Sequence, residues 1–138
     1  MAGKPRGLRL PEDLEREIER EKERRGITFS AAVVDLLRES VRMRRVPGIV
    51  FVDGPSGRRA VVAGTGLDVW EIVATWHGVG EDYRALRESY DWLTEPQVRA
   101  ALGYYELYPE EVEARLAREE WWTPERVSSE LPFTRPRA

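Results

Sequence analysis

The chain has 138 residues, room for one ordinary domain or for two small ones that share surface. Its 22 Lys and Arg stand against 25 Asp and Glu, and the net charge of -3 excludes a general pull toward nucleic acid or an anionic membrane. Cysteine is absent, which excludes disulfides and thiolate metal sites; without a signal-like start or a long apolar run, the expected compartment is the cytoplasm, with no membrane partner.

The charge is segregated along the chain. Residues 1–45 hold 12 basic and 9 acidic groups, residues 46–120 hold 7 and 14, and residues 121–138 hold 3 and 2. A basic head, an acidic body and a faintly basic tail suggest separate roles for the three segments.

In the head, Gly7 to Leu10 alternates, with Leu8 and Leu10 on one side, and predicts a short strand ending at Pro11, which suits the first position of a helix. The helix expected over residues 11–25 carries apolar residues only at Leu14 and Ile18 and ends at Gly26. Thr28 and Ser30 then offer hydroxyls to cap a second helix whose apolar face is Phe29, Val33, Leu36, Leu37 and Val41. Arg42, Arg44 and Arg45 lie at its C-terminal end, where the helix dipole favours them. Such a unit leaves much apolar surface wet, and dimerisation would cover it.

The stretches Leu8-Arg9-Leu10-Pro11-Glu12-Asp13-Leu14 and Gly26-Ile27-Thr28-Phe29-Ser30 resemble the ribbon-helix-helix family of DNA-binding dimers. That resemblance implies paired strands in the major groove and a phosphate held at the N-terminus of the second helix. By position, Arg9 would contact a base or phosphate, and Thr28 and Ser30 would clamp phosphate. Alternation from Arg9 gives Gly7 and Pro5, which read no bases, so Lys4 and Arg6 are left to reach phosphates. A head that serves only as a dimerisation clasp is the alternative.

In the body, Ile49–Val52 and Ala60–Ala63 predict two strands joined by a long loop, Asp53 to Arg59. Gly64-Thr65-Gly66 is too short of glycine for a dinucleotide loop and is expected to be a turn that lets backbone pack closely. Four helices should follow. The first is lined by Val69, Trp70, Ile72, Val73 and Trp76, and the second by Tyr83, Leu86 and Tyr90. The third opens at the capping box Thr94-Glu95-Pro96-Gln97 and buries Val98, Ala101, Leu102 and Tyr105; the fourth begins at Pro109, with Val112 and Leu116 inward.

The run Gly64 to Ile72, Thr94, and Val98-Arg99-Ala100-Ala101-Leu102 with Tyr104-Tyr105 resemble the small helical domain of unknown function found in VapB-type antitoxins. This resemblance implies a homeodomain-like arrangement and a PIN-like ribonuclease toxin as partner. The fold expected is therefore mostly α: a ribbon-helix-helix, then a β-hairpin followed by a homeodomain-like, winged-helix-like bundle.

Catalysis is not expected. His77, the only histidine, stands at a helix end without an evident partner, no cluster has metal-ligand spacing, and an Asp53–Asp68 metal pair has nothing in its spacing to favour it. No cofactor is expected. The tail, WWTPERVSSELPFTRPRA, admits one more helical turn from Thr123-Pro124. Trp121 and Trp122 either cover the body's core or, with Leu131 and Phe133, anchor a toxin whose carboxylates pair with Arg135 and Arg137. The expected function is thus that of an antitoxin that masks a ribonuclease and represses its own operator DNA as a homodimer. The alternative is a free-standing dimeric transcriptional regulator.

Overall fold

A computed structural model describes residues 3–134, which fall into two compact units divided between Arg42 and Met43. The first unit is a helix pair. Helix α1 (Glu12–Arg25) follows Pro11 and stops at Gly26, whose left-handed backbone (φ 65°) lets its N–H and that of Ile27 return to the carbonyls of Glu23 and Lys22. Helix α2 (Phe29–Arg45) is capped by Thr28, whose Oγ1 accepts from Ala31 N at 3.1 Å. Arg25 reaches Asp35 at 3.1 Å across the pair, and Ile18 and Ala32 are the buried side chains of the two helices.

The strand expected at Gly7–Leu10 does not form, and the stretch has no ladder partner among the described residues. Its edge groups need another strand, and the strands formed among the described residues both belong to the second unit.

That unit opens with an antiparallel hairpin, β1 (Ile49–Gly54) and β2 (Gly57–Val62), in register from Ile49↔Val62 to Gly54↔Gly57. The long loop expected between the strands is a two-residue turn, Pro55-Ser56. Asp53 and Arg58 are cross-strand partners joined by a 3.0 Å ion pair, so polar residues extend the ladder where their composition suggested loop.

Behind the hairpin stand α3 (Val69–Gly78), α4 (Tyr83–Ser89), α5 (Glu95–Leu107) and α6 (Pro109–Trp121). Their shared core includes Ile49, Val62, Ile72, Val73, Leu86, Val98 and Val112. Each such side chain removed from water contributes roughly 1.5–3 kcal/mol. Asp68 and Glu71 form a capping box at the start of α3, and Thr94 and Gln97 form one at α5. On α5 the buried tyrosine is Tyr104, whereas Tyr105 is half-buried. Tyr104 packs edge-on against Phe51, and its hydroxyl donates to Glu111 at 2.8 Å, so its polar tip is satisfied under cover. The chain closes with α7 (Pro124–Glu130), capped by Thr123, and a 3-10 turn at Pro132–Thr134.

Gly64 and Gly66 both have positive φ (77° and 72°), and a Cβ on either would meet nothing within 4 Å. The turn therefore needs glycine for its left-handed backbone and not, as expected, for close packing.

Candidate interaction sites

Three surfaces carry the chemistry. In the head, Lys4, Arg6 and Arg9 are all exposed on the stretch before α1, and Thr28 and Ser30 are exposed at the start of α2. The Thr28 hydroxyl is occupied by its cap bond. Beside them lies an apolar groove of about 420 Å³ bounded by Leu8, Leu10, Leu14, Val33, Leu36 and Leu37. Leu8 is 77% exposed, and Leu14, Val34, Leu37 and Val41 are open as well.

In the tail, Trp121 and Trp122 are 48% and 45% exposed and stack on each other at right angles, with centroids 4.7 Å apart. The Arg126 guanidinium lies 4.5 Å over the Trp121 ring. Neither tryptophan belongs to the body's core, which Val112 and Leu116 complete from α6. Leu131 is exposed and Phe133 is 83% exposed; Arg135 and Arg137 lie outside the described residues.

The third surface was not anticipated. In the otherwise acidic body, a small cleft of about 70 Å³ between β2, the start of α3 and α6 is lined by Arg58, Arg59, Arg115 and Arg118, with Asp68, Glu111 and Trp70. Asp68 is 2% exposed and accepts from Arg59 Nη1 at 2.6 Å and from Trp70 Nε1 at 3.0 Å. Arg115 pairs with Glu119 at 2.9 Å and lies 5.5 Å over the Trp70 ring. The Nε–H groups of Arg59 and Arg115 are both buried without a protein acceptor. A sequence signal for this site existed: adjacent Arg58-Arg59, and Arg115 with Arg118 one helical turn apart, are four of the body's seven basic residues.

His77 is not without partners. Its Nε2 lies 3.1 Å from Glu113, its Nδ1 lies 3.3 Å from Glu81, and Tyr105 packs edge-on against it. Tyr105 also donates a short hydrogen bond to Glu113. That bond holds the Glu113 carboxyl below its usual range, with help from His77, and it is the main reason the Tyr105 hydroxyl is pushed up to about 12. At the start of α5, Arg99 holds Glu95 low through a 2.7 Å hydrogen bond. Asp53 and Asp68 are each engaged by their own arginine, Arg58 at 3.0 Å and Arg59 at 2.6 Å. Among the described residues, no group of three or more His, Cys, Asp and Glu is placed to hold a metal ion, and no helix is long and apolar enough to cross a membrane.

Residues 49–105, from the start of β1 into α5, match a family described as a protein of unknown function, DUF433. The head, α6 and the tail lie outside the match. No curated protein and no solved structure matches the chain.

Proposed function

We propose that the chain is an antitoxin of the VapB type, in which the head pairs with a second copy to bind operator DNA and the tail seizes a PIN-like ribonuclease. The observation that carries this reading is the tail. Trp121 and Trp122 stay about half exposed and Phe133 mostly so although the body's core closes without them, and side chains of this kind dominate interface energies when a partner covers them. The open apolar face of the head supports its pairing. A helix pair that buries only Ile18 and Ala32 is too thin to stand alone, and a second copy would give the Gly7–Leu10 edge its missing strand. Lys4, Arg6 and Arg9 are exposed on that stretch and free to meet phosphates.

The experiment is co-purification of the chain, whole and truncated after Glu120, with the nuclease encoded beside it. Loss of the nuclease on truncation is the expected result, and equal recovery removes the tail from the mechanism. For the head, Leu37→Lys is expected to halve the mass seen by light scattering and to abolish an operator gel shift. The second reading, a free-standing regulator, is favoured by the same head. It is the correct one if no nuclease is recovered while DNA binding persists.

A further inference from the structure

The arginine cleft of the body has no part in the function just proposed. Burying a donor without an acceptor costs about 1–3 kcal/mol, and two of the residues that line this cleft, Arg59 and Arg115, each carry such a guanidinium Nε–H. Arg118 lines the same cleft, is exposed and makes no ion pair among the described residues. Trp70 supplies a flat apolar wall, held by its Nε1 bond to Asp68.

We infer that this cleft binds a single carboxylate group, received by Arg59, Arg115 and Arg118. Size and charge select this ligand. At about 70 Å³ the cleft takes one small planar group, and an arginine fork suits a carboxylate. Arg58, Arg59 and Arg115 pair with Asp53, Asp68 and Glu119, which leaves the Arg118 guanidinium for a monoanion to balance. A phosphate chain would have to cross a surface segment with 7 basic and 14 acidic groups, which repels an extended polyanion. The carboxylate is an Asp or Glu side chain of another protein or a small free acid. The site requires no nuclease partner, so it stands or falls apart from the antitoxin reading.

The test is a titration of the full chain, followed through the arginine Nε–H and Trp70 indole resonances. Acetate, a panel of small mono- and dicarboxylic acids, a peptide-blocked glutamate, inorganic phosphate and a short oligonucleotide are added at matched ionic strength. Saturable shifts of Arg59 and Arg115 Nε–H with carboxylates, weakened about fivefold or more in Arg118→Gln, are expected. A free acid that saturates well below millimolar marks a small-molecule ligand. Millimolar binding by every free acid, matched by the blocked glutamate, marks a protein side chain that draws its remaining affinity from the surrounding surface. Absence of saturable shifts, tighter binding of phosphate or oligonucleotide, or indifference to Arg118→Gln overturns the proposal. Arg118 is exposed and unpaired, so its replacement leaves the fold intact.

Discussion

Asp68 is the one buried charged side chain among the described residues, and three demands meet on it. It caps α3, neutralises Arg59 and orients Trp70. Asp68→Ala is expected to lower unfolding free energy by about 2–3 kcal/mol, from the lost cap and the unpaired donors, and urea denaturation would measure it. Asp68→Asn keeps an oxygen for the cap and is expected to cost less. At Tyr105 the folded value of about 12 lies above the ordinary 10.0, so the hydrogen bond to Glu113 stabilises fully below that ordinary value and is lost as pH rises through about 12. Glu113 has the opposite sign. Held below its ordinary 4.5, it contributes above that value, and the contribution is lost as pH falls through the depressed one. In an NMR titration of the tyrosine rings, Glu113→Gln is expected to return Tyr105 toward 10.0, and an unmoved midpoint would refute the assignment.

Local chemistry settles where most elements begin and end. Thr94, Pro96 and Gln97 start α5 where their spacing requires, and Thr94→Ala is expected to cost about 1 kcal/mol in thermal or urea unfolding. Gly48 is a sharper case. It connects α2 to β1 with φ 99°, and a Cβ there would sit 3.3 Å from that of Ala100, so Gly48→Ala combines backbone strain with crowding against α5. A loss of about 1–2 kcal/mol is expected by the same measurement. The hairpin shows the limit of local reading. Asp53 and Arg58 look like loop residues by composition, yet they are a facing pair on adjacent strands, because a two-residue turn brings them together.

At the scale of the whole molecule, the chain separates what folds from what is left to bind. The body completes its core with Val112 and Leu116, and the aromatic residues that follow remain outside it. Replacing Trp121 and Trp122 together with alanine is therefore expected to change unfolding free energy by no more than about 0.5 kcal/mol, while greatly reducing nuclease recovery. A large loss of stability would instead place the pair in the fold. The basic residues divide in a similar way. Three of the head's twelve, Lys4, Arg6 and Arg9, sit on an exposed arm, whereas four of the body's seven line one cleft.

By itself the sequence determined the mostly helical plan, the hairpin between head and bundle, the caps at Thr28, Thr94 and Thr123, and the apolar stripes of the body. Those features depend on neighbours a few residues apart, where spacing translates directly into geometry. Only the tertiary structure decided that Tyr104 rather than Tyr105 fills the core, that Trp121 and Trp122 stay outside it, and that His77 stands between Glu81 and Glu113. The arginine cleft belongs with these. Arg59 and Arg115 are far apart in sequence, and they line one cleft because β2 and α6 both pack against α3, an arrangement that no local pattern encodes.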